Sequence, residues 1–331
     1  MKLTILGTGN AAVTECYNTC FLLTEGADHL LVDAGGGNGI FRQLKAAGVR
    51  WQDIRSIFVT HKHLDHITGI LWLIRMILQG MARGQYEGEA VIYSHREVTD
   101  LLRTLTGLLL SEKEIRFLDS RLRLVTVENG ESLPLLGQTV TFFDIGSTKA
   151  AQFGFSITLP GGGKLTCCGD EPFSEAERPF AEGSRWLLHE AFCLASEADV
   201  FKPYQKHHST VADACRLAQE LGAENLILYH TEDKNLARRK ALYTAEGAPL
   251  FSANLFVREA GETFELCQKP GGGRSHAPPR FFHLFFATVR KVVSSMPIIS
   301  STSSARKSGI QPRPARFAMR PKRGGIRVEP T

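Results

Sequence analysis

Apolar residues fall into short blocks separated by glycine-rich or polar breaks, and the spacing inside the blocks alternates between strand-like and helical along the chain. Lys2 to Leu6, Phe21 to Thr24 and Leu30 to Asp33 read as strands of a meander, the first closed by the tight loop Gly7-Thr8-Gly9-Asn10. Ile40 to Ala47 sets Ile40, Leu44 and Ala47 on one helical face. Ile54 to Thr60 then reads as a buried strand and Ile67 to Leu78 as a helix, ending at a break from Gly80 to Gly88. A strand at Ala90 to Tyr93 and a helix from Glu97 to Leu110 follow, so the first part of the chain predicts a sheet with helices packed outside it.

From Leu122 the pattern turns β-rich. Arg123 to Val127, Gln138 to Phe143, Gly154 to Leu159 and Lys164 to Cys168 are strand-like, the last two joined by the turn Pro160-Gly161-Gly162-Gly163 as a hairpin. Trp186 to His189, a helix over Val211 to Leu221 and a strand over Leu226 to Tyr229 complete a second half. The helix has Ser209 and Thr210 as N-cap candidates and an inner stripe of Val211, Ala214, Cys215 and Ala218. Two such halves packed sheet to sheet give an α/β fold, a four-layer α/β/β/α sandwich.

The densest chemistry lies where the strand over Ile54 to Thr60 gives way to the next helix. Thr60-His61-Lys62-His63-Leu64-Asp65-His66 holds three histidines and one carboxylate within six residues. At an extended strand end His61 and His63 project to the same side, so both imidazoles can meet one metal ion, while Asp65 and His66 at the helix start can face a second. Imidazole and carboxylate without thiolate suit zinc, with manganese or iron as substitutes.

This run resembles the H-x-H-x-D-H signature of the metallo-β-lactamase superfamily. Asp170, after the β-prone Leu165 to Gly169, and His230, after Asn225 to Tyr229, stand where that superfamily places further ligands. His189-Glu190-Ala191 and His208-Ser209-Thr210 are similar to motifs of the ribonuclease Z group, the transfer-RNA 3'-processing endonucleases. The resemblance covers residues 1 to 268 and implies the same sandwich. It also implies two zinc ions: one held by His61 and His63, the other by Asp65, His66 and His230, with Asp170 bridging. A metal-bound hydroxide would then be the nucleophile, with Asp65 orienting it and His208 donating a proton or stabilising an oxyanion. Glu190 is a supporting carboxylate, and Asp33, in Asp33-Ala34-Gly35-Gly36-Gly37, either supports a ligand or anchors its loop.

The chain departs from this group in two places. Where the group supplies one more histidine, the loop after Phe143 reads Asp144-Ile145-Gly146-Ser147-Thr148-Lys149, and Gly146 has no side chain to offer. The turn Pro160 to Gly163 is short where transfer-RNA-processing members carry a long RNA-gripping arm. The first departure weakens the shell of the ion at His61 and His63, and the second argues against transfer RNA as substrate.

Composition adds a division of the chain. With 43% hydrophobic and 22% charged residues it is an ordinary globular sequence. Its net +5 combines a tail, residues 269–331, with 13 Lys or Arg against one acid, Glu329 (+12), and a remainder at −7. The tail holds eight of the 14 prolines, reads as disordered, and has a charge suited to nucleic acid or an anionic surface. The seven cysteines are an odd count without zinc-ribbon spacing and are expected reduced and mostly buried. Export signal and membrane span are both absent from the pattern, so a cytoplasmic protein is expected. Gly7-Thr8-Gly9 lacks the third glycine and the helix of a dinucleotide site, and His95 reads as a strand-to-helix turn residue.

Three functions stay open on the sequence. The first is a zinc phosphodiesterase of ribonuclease Z type acting on RNA or a small phosphodiester. The second is hydrolysis of a small ester, lactone or thioester at the same centre. The third is a non-catalytic nucleic-acid-binding protein with a degraded site. A homodimer is compatible with each.

Overall fold

The strand-like blocks pair into two seven-stranded sheets. The computed structural model of the protein describes residues 1–267, and the basic segment 269–331 lies outside the described residues. Within the first sheet, β1 (Lys2–Gly7), β2 (Cys20–Glu25), β3 (Asp28–Val32), β4 (Ser56–Phe58), β5 (Ala90–Ser94) and β6 (Leu122–Thr126) follow in spatial order. The second runs from β7 (Ser132–Leu135) through β8 (Gln138–Asp144), β9 (Phe153–Thr158), β10 (Lys164–Cys167), β11 (Trp186–Glu190) and β12 (Asn225–Tyr229) to β13 (Asn254–Val257). The last strand, β14 (Thr263–Glu265), returns to pair antiparallel with β1.

Both faces of each sheet are covered. On β2, Phe21 and Leu23 point into the layer between the sheets, where they join Val140, Phe155 and Leu165, while Cys20 and Leu22 point outward under helices. Phe58 fixes the inter-sheet spacing by contact with Phe142 (4.9 Å between centroids) and Phe155 (5.6 Å). The outer layer on the first sheet is α1 (Ile40–Ala46), α2 (Leu64–Ala82) and α3 (Arg96–Leu109); on the second it is α4 (Val211–Glu220) and α5 (Arg239–Gly247). Short one-turn helices complete the connections. This is the four-layer α/β/β/α sandwich.

Several boundaries differ from the sequence pattern. α2 starts at Leu64 and runs through Gly80, where a break is expected. A Cβ at Gly80 would stand 2.7 Å from Trp51, so glycine there permits close packing and does not interrupt the helix. The edge strands β7, β13 and β14 and the helix α5 do not stand out in the pattern, because few of their positions are buried. The turn over Pro160–Gly163 joins β9 to β10 as expected. The seven cysteines are all free, five of them buried. Among the described residues, no helix is long and apolar enough to cross a membrane.

One buried carboxylate stands apart from the candidate site. Glu177 is fully buried, one oxygen accepts from the Ser174 amide at 2.8 Å, and the other has no hydrogen-bond partner. Burial pushes its pKa up to about 8. The folded state therefore holds a proton that the unfolded chain releases above its ordinary value, so stability should fall as pH rises from about 4.5 to about 8. Glu177→Gln should remove that slope and stabilise the protein at pH 8 by at most about 5 kcal/mol, at 1.36 kcal/mol per pKa unit. Thermal midpoints of both proteins at pH 5 and pH 8 check this; parallel pH dependence in the two would refute it.

Candidate metal centre

The parallel strands deliver the polar residues to one edge of the sandwich. β3 and β4 in the first sheet, and β10, β11 and β12 in the second, run parallel, so the loops leaving their C-terminal ends meet there. The edge is stitched across the sheets by backbone bonds from Thr231 N to Thr8 O (2.8 Å), Asn10 N to Thr231 O (3.0 Å) and Phe153 N to Thr60 O (3.0 Å). Asp33 leaves β3, His61 and His63 follow β4, and Asp65 and His66 form the first turn of α2. Asp170 follows β10 and His230 follows β12.

Asp170 sits at the geometric centre. Its Oδ2 lies 3.4 Å from Nε2 of His61, of His66 and of His230. Asp65 Oδ2 is 3.3 Å from His66 Nε2 and 3.4 Å from His230 Nε2. Donors on one tetrahedral zinc, at about 2.0–2.1 Å from the metal, stand about 3.3 Å from each other, the spacing seen here. His61, His66 and Asp170 form one group of atoms near enough to share an ion, Asp65, His66 and His230 a second, and Glu190, His208 and His230 a third. His63 is half-buried, and its Nδ1 lies 2.8 Å from His61 Nε2.

The surrounding hydrogen bonds orient these rings. Asp33 accepts from His66 Nδ1 (2.8 Å), from the Thr60 amide (2.9 Å) and from the Thr60 hydroxyl (2.8 Å). With its proton given to Asp33, Thr60 Oγ1 accepts from His61 Nδ1 at 2.9 Å. One carboxylate thus engages Nδ1 of His66 directly and of His61 through Thr60, turning both Nε2 atoms inward. Asp33 contacts a candidate ligand and also anchors its own loop.

The electrostatics favour a cation in this space. Burial works against charge on His66, yet Asp65 and Asp33 hold its pKa well above the usual imidazole value. Burial also opposes ionisation of Asp65 and Asp170, and the imidazoles around them overcome it, holding both carboxyls well below their usual range. His61, in contrast, is pushed down, chiefly by burial. Buried atoms without a hydrogen-bond partner include His66 Nε2, Asp170 Oδ1 and His230 Nδ1. Inward-facing imidazole nitrogens and charged carboxylates fit a divalent ion of the zinc, manganese or iron type, and no thiol belongs to these groups.

A cavity of about 360 Å³ opens over this cluster, lined by His63, Asp65, Asp170, His208 and His230 together with Ala11, Leu64, Lys149 and Glu171. His208 stacks on Phe192 at 4.7 Å, and its Nδ1 is 3.7 Å from Glu190 Oε2. Burial, then His230, lowers the His208 pKa to about 3, and burial raises that of Glu190 well above the carboxylate range. The surroundings thus favour a neutral imidazole, which can offer a hydrogen bond from one N–H but is a poor proton donor.

Other sequence candidates lie elsewhere. His95 N-caps α3 against Phe153, and buried His189 gives its Nδ1 to the Glu190 carbonyl. Gly146 is exposed with φ +74°, and a Cβ there would meet Ser174 Oγ at 3.2 Å. It faces the segment at Ser174 and Ala176, so its bare α-carbon marks a turn geometry. The structure adds Lys149, Glu171 and Thr60 to the surroundings of the site. Only the place of Glu171 directly after Asp170 and of Thr60 directly before His61 could have drawn attention to two of them.

The family described as "Anti-Pycsar protein Apyc1" matches residues 1–246. The chain belongs to this family. Among curated proteins it is 25% identical to the ribonuclease Z of Prochlorococcus marinus (strain MIT 9303), over 80% of the chain and 93% of that protein. Among solved structures, this Apyc1-family chain is similar to the metallo-β-lactamase fold protein YhfI from Bacillus subtilis (TM-score 0.64, 20% identity, 80% of this chain and 98% of that one). It is also similar to the short form of human tRNase Z (TM-score 0.61, 20% identity, 81% and 100%). The family member therefore has the metallo-β-lactamase fold with ribonuclease Z-like sequence, and is a metal-dependent hydrolase.

Proposed function

We propose that the chain is a zinc phosphodiesterase, with manganese or iron as substitute metals, acting on a small phosphodiester. The observation that carries this reading is Asp170 Oδ2, 3.4 Å from three imidazole Nε2 atoms and flanked by Asp65 across His66 and His230. Such a shared carboxylate suits a pair of ions, His61, His63 and Asp170 holding one and Asp65, His66, His230 and Asp170 the other. When bound, such ions polarise phosphoryl oxygens and make water nucleophilic near neutral pH.

The protein's own groups supply the rest. Asp33 keeps the His66 ring oriented, and Thr60 extends that control to His61. Lys149 brings positive charge to a cavity otherwise rich in carboxylates, suited to attract a phosphate anion. Neutral His208 offers one N–H to a phosphoryl or leaving-group oxygen, with Glu190 behind it. A cavity of about 360 Å³ is at the lower end of small-molecule sites. That size and the short Pro160–Gly163 turn favour a small phosphodiester; the ribonuclease Z relatives support an RNA phosphodiester as the second reading.

The test compares turnover of a bis-aryl phosphate, a lactone and a thioester, before and after chelation and on return of zinc, manganese or iron. Phosphodiester turnover that is lost with metal and regained with zinc is expected. Preferential lactone or thioester hydrolysis would replace the reading with the second enzymatic one. Nucleic-acid binding without any turnover or metal would replace it with the non-catalytic one.

A further inference from the structure

We propose that Phe192 is a positioning residue for His208 and sets the plane of its imidazole, an inference that rests on the phosphodiesterase reading and deepens it by naming what aims the N–H that His208 offers. His208 lines the cavity beside Asp65, Asp170 and His230, so the plane of its ring decides where that N–H points.

Two of the candidate ligand rings receive their orientation through Nδ1, His66 from Asp33 and His61 from Thr60. His208 has no such tie. Its Nδ1 is buried without a hydrogen-bond partner, and Glu190 Oε2 stands 3.7 Å away, beyond hydrogen-bond reach. The torsion that turns an imidazole about its Cβ–Cγ bond is broad, so rotamer preference leaves the ring plane open. Packing must decide it.

Phe192 supplies that packing. Its ring centroid lies 4.7 Å from that of His208 with 8° between the planes, so two flat faces meet, and a turn of the imidazole would drive its edge into the phenyl ring. Phe192 is held in turn: it is 6% exposed, Phe201 crosses it at 81° and 6.4 Å, and Lys206 Nζ stands 5.2 Å from its centroid. Among the described residues it belongs to none of the three hydrophobic clusters of the core. The backbones under the two rings are tied without help from the stack, by Phe192 N to Ser209 O (2.9 Å), Val211 N to Cys193 O (3.0 Å) and His208 N to Pro203 O (2.9 Å). Loss of the phenyl face should therefore free the imidazole without moving the segment that carries it.

The test compares Phe192→Leu, Phe192→Tyr, His208→Ala and the combined Phe192→Leu, His208→Ala protein by kcat and KM on a bis-aryl phosphate, by metal content, and by crystal structures of wild type and Phe192→Leu. His208→Ala should lower kcat by about 100-fold, as for one lost donor at a developing charge. Phe192→Leu, apolar but without a flat face, should lower kcat by about 10-fold through misalignment of that donor, with KM and bound metal within about 2-fold of wild type. Phe192→Tyr, which keeps the plane, should keep the turnover. In the combined protein the leucine should add nothing to the loss from His208→Ala, because the two residues act as one unit. The crystal structure of Phe192→Leu should show the His208 ring out of its wild-type plane. An equal loss of kcat from Phe192→Leu with and without His208, or a His208 ring that keeps its plane in that variant, would overturn the positioning role. If Phe192→Leu does not fold, Phe192→Met carries the same comparisons. Wild type without phosphodiester turnover would overturn the phosphodiesterase reading, and the ring plane in the variant structure would still decide the role of Phe192.

Discussion

Asp170→Ala is expected to lower phosphodiester turnover by more than about 100-fold, the upper range for losing a mere supporting contact at a metal centre. Asp170 Oδ2 is the atom common to His61, His66 and His230, so its loss removes a donor from both proposed ions at once. Asp65→Ala should be comparably inactive, because it deletes the carboxylate between His66 and His230. Their metal content should differ: Asp170→Ala loosens both ions, Asp65→Ala chiefly one. The folds should survive, since removing a carboxylate from this cluster leaves the three hydrophobic layers intact. Elemental analysis alongside turnover and circular dichroism checks both variants. Near wild-type turnover in a folded Asp170→Ala protein would remove the metal-centre reading.

The second large effect should come from a residue with no side chain to offer the centre. Gly69 lies in α2, and a Cβ there would stand 1.9 Å from the carbonyl oxygen of Ala34. The close approach is held by Gly69 N donating to Gly35 O at 2.9 Å and Ala34 N to His66 O at 3.2 Å. Backbone, not a flexible side chain, occupies the space, so Gly69→Ala must part the helix from the Asp33 loop. A loss of about 3 kcal/mol or more is expected, at the upper end of overpacking costs. Because the same loop carries Asp33 to His66 Nδ1, metal affinity should fall together with stability. Denaturant midpoints and zinc titration of Gly69→Ala read both. A change at Gly26, where a Cβ would meet nothing within 4 Å but φ is +61°, separates packing from backbone strain. Gly26→Ala should cost only about 1 kcal/mol and leave metal binding alone.

Much of the site was legible because its signal is local. His61, His63, Asp65 and His66 fall in one run at a strand-to-helix junction, and the backbone between them leaves few ways to separate their side chains. Asp170 and His230 came only from the family resemblance, each standing after a short apolar strand where that superfamily places a ligand. The sandwich followed from two successive strand-and-helix halves, each with apolar positions on the faces that became buried. The weak elements were those with little burial to mark them: β14 buries one of its three residues, Phe264. The tail and its charge were read from composition, and that reading lies outside the described residues.

What the sequence by itself determined is therefore the class of fold and the chemistry of the donors, because both depend on residue type and short-range spacing. The tertiary structure decided which donors meet, what turns them and what they face. Asp33 reaches His66 across 33 residues only because β3 and β4 pair in parallel and Gly69 lets the loop settle on α2. Gly146 points to Ser174 because of a positive φ that no spacing rule reveals. Glu171 and Ser147, 24 residues apart, share a hydrogen bond because β9 and β10 fold back as a hairpin and bring the loops at their far ends together. Contacts of this kind depend on strand pairing and close backbone approach, which are settled only when the two sheets pack.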